Sequence, residues 1–359
     1  MIKHALALAL VLLLSPLAAA QQLEGKVRIG TWNIENFGSR DPARSDEDVQ
    51  KMAALIHELG VDVLAVEEIN GAAPLRRLCK ALGPRWSFVV GTSGKIGRKP
   101  EGTRQITVGF VFDEARVELL DAYELNELPR REARNYIFHR IPVVATFRER
   151  KGGLDFRAVV VHLKAGVLDK DKNQRAEVDS AKRQAEVKYL TQSITKLLGQ
   201  QGEDQDLIVL GDCNADKQYP CYKTFCETMV HADVAKAHRS IVYFDEQIDH
   251  AFLSKGLVEE LVPGSCQLRY ELYEKLGQDG WKAHYSDHIP MVLDLDASRD
   301  RDPDAKLTPG PKEHWLHKQN GETADPAQAE QPVAPKQPQA PKQPQAPNQS
   351  EAPKRTRWF

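Results

Sequence analysis

The sequence predicts an α/β domain in which strands and helices alternate, followed by a long tail with no core of its own. Three observations carry this. Val27, Ile29 and Thr31 alternate with polar residues as on a half-buried strand, and Val49, Met52, Ala53, Ile56 and Leu59 then recur at helical spacing. Apolar runs continue to near residue 300, where the composition changes sharply.

The chain opens with Lys3 and His4, an unbroken apolar run from Ala5 to Leu14, Ser15-Pro16, and Ala18-Ala19-Ala20. A basic start, a short apolar stretch and a small-residue cleavage site predict a secretory signal over residues 1–20. The run is shorter than the roughly 20 residues that span a bilayer. Export to the periplasm or beyond is therefore expected, and stable membrane insertion is not.

Within the core, residues 24–298, Ser45 is placed to cap a helix over Asp46–Leu59, and Gly60 closes it. Val61–Val66 then reads as a short buried strand. Further strands are expected at Thr107–Phe112, Val143–Phe147, Phe156–Val161, Leu207–Leu210, His250–Leu253 and Met291–Leu295. The longest helix is expected at about Arg175–Leu198, with Val178, Ala181, Ala185, Leu190, Ile194 and Leu197 on one face.

A net charge of −2 excludes a polycation that coats nucleic acid, but leaves room for a local basic groove. The five cysteines, Cys79, Cys213, Cys221, Cys226 and Cys266, contain no CxxC pair, which removes a zinc ribbon. Cys221 and Cys226 are spaced for a loop disulfide.

Polar residues of chemical interest fall at strand ends, where active sites on sheet scaffolds gather. They are Asn33 after Thr31-Trp32, Glu68 of Glu67-Glu68, His162 and Lys164 after Val159–Val161, and Asp212 with Asn214 in Gly211-Asp212-Cys213-Asn214. Asp249 precedes the strand His250–Leu253, and Asp287-His288 precedes the last strand. Carboxylates and an amide suit a hard cation, and a histidine beside an aspartate suits a held, charged imidazole.

This ordered set resembles the endonuclease/exonuclease/phosphatase superfamily, and the segments Asn33–Gly38, Gly211–Asp216, Val262–Ser265 and Ser286–His288 are similar to secreted deoxyribonuclease I-like nucleases. The resemblance covers Val27 to Leu295 and implies two packed mixed β-sheets with helices outside and the site at one end. It implies Mg²⁺, or Mn²⁺, on Glu68 with Asn33 and Asp287, and leaves room for a structural Ca²⁺. Asp212 would orient or deprotonate the attacking water, and Asn214 would hold a phosphate oxygen. His288 paired with Asp249 would hydrogen-bond the phosphoryl group, and His162 would assist proton transfer. Arg140 matches a residue near the phosphate backbone. Arg104 and Lys164 are further substrate-binding candidates.

Two departures from the pattern stand out. The carboxylate that pairs with the first histidine in these nucleases is missing near Arg104-Gln105, so either Gln105 or another group orients His162, or its basicity is lower than usual. Asn70 replaces a DNA-contacting arginine, for which Arg98, Lys99 and Arg104, or Arg130, Arg131 and Arg134, could compensate.

The reading is an exported, monomeric, metal-dependent phosphodiesterase cutting DNA, and RNA as an extension. A lipid or phosphoinositide phosphodiesterase or phosphatase of the same fold is the alternative, disfavoured because no Trp/Phe-rich loop is apparent; a non-catalytic effector ranks below both. Residues 299–359 are expected to be a disordered tail, with Lys-Gln-Pro-Gln-Ala-Pro from Lys336 and again from Lys342. Its end, Lys354-Arg355-Thr356-Arg357-Trp358-Phe359, could touch an unknown partner.

Overall fold

The alternating residues at the start of the core form β1 (Lys26–Phe37) in a computed structural model that describes residues 25–39, 43–92, 106–132, 135–166, 172–235, 239–311 and 316–318. Helix α1 (Asp46–Leu59) follows with the expected cap: the Ser45 side chain accepts from Asp48 N–H, and the Asp48 carboxylate accepts from Ser45 N–H. Gly60, at φ 65°, ends the helix in the left-handed region. Then come β2 (Val63–Ile69), α2 (Ala72–Leu82), β3 (Trp86–Gly91), β4 (Thr107–Asp113), β5 (Val117–Glu124), β6 (Arg131–Glu132), β7 (Asn135–Tyr136), β8 (Val143–Glu149) and β9 (Asp155–His162). The second half contains α3 (Lys172–Leu198), β10 (Leu207–Asp212), α4 (Pro220–Thr228), β11 (Val230–His231), β12 (Asp249–Leu253), β13 (Gln267–Leu268), α5 (Glu271–His284), β14 (Met291–Asp296) and β15 (Leu316–Lys318).

These strands make two mixed sheets packed face to face, with helices outside. One has seven strands in the order β13-β14-β1-β2-β4-β3-β15, the other six in the order β11-β12-β10-β9-β8-β5. Each is built around one parallel pair, β1 with β2 and β9 with β10, flanked by antiparallel neighbours. A parallel pair needs a crossover, and α1 and α3 supply it.

The inner strands are apolar on both faces, as burial from two sides requires. In β9, Ala158 and Val160 join the cluster between the sheets, while Val159 and Val161 join the cluster under α3 and α4 with Val187, Leu190 and Phe225. Phe147 bridges the sheets, 5.8 Å from Phe110 and 5.7 Å from Phe156 between ring centroids.

Several expectations change. The tail was placed from residue 299, but residues 299–311 and 316–318 are part of the fold. Thr308 donates its N–H and hydroxyl to Glu203, Gly310 N–H donates to Asp121, and β15 pairs with β3, burying Leu316. A composition rich in charge and proline hid these few specific contacts.

The Cys221–Cys226 disulfide is not formed. Both residues sit on α4, one buried and one exposed, because five residues along a helix turn the side chain well away from its partner; all five cysteines are free. Ala181 is exposed rather than buried, and α3 turns Arg183 and Glu186 inward. The signal segment 1–20 and the tail beyond 318 lie outside the described residues, none of whose helices is long and apolar enough to cross a membrane.

Candidate active site

The C-terminal ends of the two parallel pairs meet across the sandwich, and the strand-end residues converge there. Asp212 at the end of β10 is in register with His162 on β9 and with Asp249 on β12. Asn33 on β1 pairs with Glu67 on β2. His288 lies just before β14, where the indole N–H groups of Trp32 and Trp281 both donate to its carbonyl, at 3.2 and 3.3 Å. The Ser286 hydroxyl ties this turn to Asn33 O at 2.5 Å and accepts from His288 N–H.

The backbone is strained in this region. The four non-glycine residues with positive φ among those described are Glu35, Asn36, Glu68 and Asn214, all at this end of the sandwich. Register shifts between Asn33 and Phe37 on β1 and between Val66 and Ile69 on β2 accompany them. Such irregularities re-aim side chains. Here they separate two adjacent carboxylates: Glu68 remains 20% exposed, whereas Glu67 is fully buried. Glu67 therefore does not face solvent; it accepts from the Thr31 hydroxyl at 2.7 Å, and burial beside Asp249 pushes its carboxyl well above the usual range. Gly211 serves close packing rather than a turn, since a Cβ there would lie 2.1 Å from Val161 O.

Asp212 occupies the centre. Its Oδ2 accepts from Asn33 Nδ2 at 3.0 Å, and its Oδ1 accepts from Asn214 N–H at 2.8 Å. His162 Nε2 lies 3.4 Å and His288 Nε2 3.9 Å from the same Oδ2. Burial pushes the Asp212 carboxyl up to about 7, with His288 opposing and Asp249 adding to the shift.

The two histidines are driven to opposite charge states. His288 Nδ1 is 2.8 Å from Asp249 Oδ2; burial works against its charge, but the Asp249 carboxylate and hydrogen bond, with Asp212 and Asp287, hold the imidazole well above its ordinary range. His162 is held well below it, by burial first and then by Arg140, His288 and Lys164. His162 Nδ1 is buried without a hydrogen-bond partner among the described residues, and Gln105 lies outside them. What faces its Nε2 is Asp212 and, at 3.8 Å, Glu68.

Arg140 lies under the end of β9. It is buried, with Nε and Nη2 donating to the carbonyls of His162 and Leu163 at 2.8 and 2.6 Å, so it fixes the end of β9. Lys164 directs its ammonium to Ala165 O, and its backbone is held on both sides by α3: Lys164 N–H donates to Glu186, and Arg183 donates to Lys164 O. Asn214 donates its amide to Leu163 O at 3.1 Å. Arg98, Lys99, Arg104 and Arg134 lie outside the described residues.

Three supporting residues were not singled out from the sequence. Glu186 and Arg183 hold the loop after His162, and the Ser240 hydroxyl accepts from the N–H groups of Ile248 and Asp249. Charged residues buried on an otherwise polar helix, and a serine in a loop, leave no periodic trace.

Oxygen donors for a hard cation are present. Glu68 Oε2 accepts from Asn36 N–H at 2.9 Å, and the carboxylate borders the cleft. Asn33 first holds Asp212 and caps Glu35 N–H with its Oδ1; Asp287 is half-buried. Among the described residues Glu68 and Asp287 do not join a third acid in one tight cluster. The Glu68 carboxylate is the kind of oxygen donor that a hard divalent cation takes.

A model of the endonuclease/exonuclease/phosphatase family matches residues 30–288. Among solved structures, the human Nocturnin catalytic domain with bound sulfate anion superposes with a TM-score of 0.55 at 19% identity, over 75% of this chain and 94% of that one. An endonuclease/exonuclease/phosphatase from Bacteroides vulgatus gives 0.54 at 18% identity, over 75% and 98%. Comparison with curated protein sequences gives no match.

Proposed function

The chain belongs to the endonuclease/exonuclease/phosphatase family, whose members are phosphoester hydrolases that generally depend on a divalent metal, and from that premise we propose that it is an exported phosphodiesterase that hydrolyses nucleic acid. The observation that carries the reading is the polarised pair of histidines around Asp212.

A phosphodiester is anionic and gains charge under attack, so its hydrolysis needs fixed donors and cations around the phosphoryl oxygens. His288, kept cationic by Asp249, offers such a donor. Asp212, pushed into the neutral range, is suited to orient water and accept its proton near pH 7. His162, neutral, hydrogen-bonds without adding charge repulsion toward Arg140. Glu68, helped by Asn33 and Asp287, would hold Mg²⁺ or Mn²⁺, which would supply Lewis-acid stabilisation of the phosphoryl oxygens. Asn214, whose backbone already grips Asp212, stands beside the same space.

A nucleic-acid substrate is supported by the β6–β7 hairpin. Pairing of Val143 with Val160 brings the segment before β8 to the level of His162, and Arg140 touches the His162 carbonyl. On that side the Arg131 guanidinium lies 3.8 Å over the ring of Tyr136, which is 46% exposed and stacks on His139 at 5.6 Å. Cations interleaved with aromatic faces suit a charged backbone carrying stackable bases.

The test uses purified protein with plasmid and single-stranded DNA, with Mg²⁺ or Mn²⁺ and with chelator, over a range of salt because phosphate contacts weaken with it. Nicking or degradation that requires metal and is lost in His162→Ala and Asp212→Ala is the expected result. Intact DNA at every salt concentration, with phosphocholine or inositol phosphates released from lipid, would overturn the substrate assignment.

A further inference from the structure

A second acidic centre lies at the other end of the sandwich. Asp206 immediately precedes β10, whereas Asp212 ends it, so the two are separated by about 20 Å of extended chain. Oxygen atoms of Asp206, Glu260 and Asp300 all lie within 4.8 Å of one another. The three come from different parts of the chain: the start of β10, the turn after the 3-10 segment Leu257–Glu259, and the segment after β14.

Burial makes this arrangement costly as it stands. Asp206 and Glu260 are each 1% exposed. Both carboxylate oxygens of Asp206, and Oε2 of Glu260, are buried with no hydrogen-bond partner among the described residues. Buried polar groups ordinarily find partners, and an unpaired buried carboxylate is among the most unfavourable groups to leave bare. Arg301 pairs with Glu259, and Arg157 directs its Nη2 to Glu203.

We propose that Asp206, Glu260 and Asp300 form a structural site for a divalent cation, and that the cation is Ca²⁺. The donor set is all oxygen, which selects a hard ion over zinc or copper. Ca²⁺ takes several carboxylate oxygens in a flexible geometry, whereas Mg²⁺ dehydrates reluctantly and seldom sits in a cage built from protein oxygens alone, so a buried set of three acids favours Ca²⁺. Asp300 is half-buried, with Oδ1 accepting from Asp302 N–H at 3.0 Å. The site would tie the segment after β14 to the starts of two inner elements, at a place remote from the catalytic cleft.

The experiment uses the full chain carrying Glu68→Gln, so that the catalytic cleft contributes little metal binding, after chelation and desalting. Titration with Ca²⁺ by calorimetry, with thermal unfolding in parallel, is expected to show one site and a rise in Tm of roughly 5 °C at saturation. Adding Asp206→Asn with Glu260→Gln should abolish the Ca²⁺ dependence, because an amide offers the ion no negative charge. Should that combination fail to fold, Asp300→Asn at the half-buried position is the second variant, expected to weaken Ca²⁺ binding at least tenfold. No heat and no Tm shift with Ca²⁺, or a shift that these variants leave unchanged, would overturn the proposal.

Discussion

His288 Nδ1 lies 2.8 Å from Asp249 Oδ2, and this contact sets the charge of the site. Without it, burial would favour a neutral imidazole. With it, His288 is the cationic member of a pair whose other histidine, His162, is kept neutral by burial and by Arg140.

Asp249→Asn should therefore remove the group that holds the proton on His288. The charged form of a histidine is lost as pH rises through its folded pKa, so lowering that pKa moves the alkaline limb of the pH–rate profile toward acid. A fall in kcat of roughly 10²–10³-fold at pH 8 is expected. An alkaline limb identical to wild type in a folded Asp249→Asn protein would contradict the assignment.

Asn33→Ala should act through Asp212 rather than through metal affinity alone. Asn33 Nδ2 donates to Asp212 Oδ2 at 3.0 Å, a bond that favours the ionised carboxylate. Its loss raises the Asp212 pKa from about 7, so the acid limb of kcat/KM moves to higher pH. A roughly 10–100-fold loss at pH 6.5 that shrinks by pH 9 is the expected pattern. A loss equal at all pH values and repaired by more Mg²⁺ would assign Asn33 to the metal alone.

Glu186 yields a prediction for stability. Burial raises its carboxyl to about 7, above its unfolded value, despite the Lys164 N–H bond. The folded protein thus binds a proton that the unfolded chain has released, and the associated stability is lost as pH rises from about 4.5 through 7. The slope is about 1.4 kcal/mol per pH unit, or about 3 kcal/mol across the window. Denaturant titrations of Glu186→Gln, which keeps an acceptor for Lys164, should lack that slope. An unchanged slope would place the titration elsewhere.

The segment after residue 298 should stabilise the domain. Glu203, paired with the buried Arg157, takes two donors from Thr308, and Leu316 is 3% exposed. A chain ending at Ser298 should unfold with roughly 3–5 kcal/mol less stability than one ending at Lys318. Equal stabilities would mean these contacts contribute nothing net.

The sequence by itself determined the alternation of elements and which polar residues stand at the strand ends. Val27, Ile29 and Thr31 did become a strand, Ser45 did cap Asp46–Leu59, and the strand-end residues from Asn33 to His288 do converge. These features are local: periodicity, capping and turn chemistry act over a few residues.

Tertiary structure decided the rest, because burial and charge are properties of neighbours brought from afar. Glu67 and Glu68 are adjacent and chemically alike, yet a shift in strand register buries one and leaves the other at the cleft. His162 and His288 begin with the same ordinary pKa; burial, with Arg140, lowers one, and the Asp249 carboxylate overcomes burial to raise the other. Arg140 donates to the carbonyls of His162 and Leu163, and Asp206, Glu260 and Asp300 met across three distant segments. None of these outcomes has a sequence period, since each depends on which chain segment folds against which.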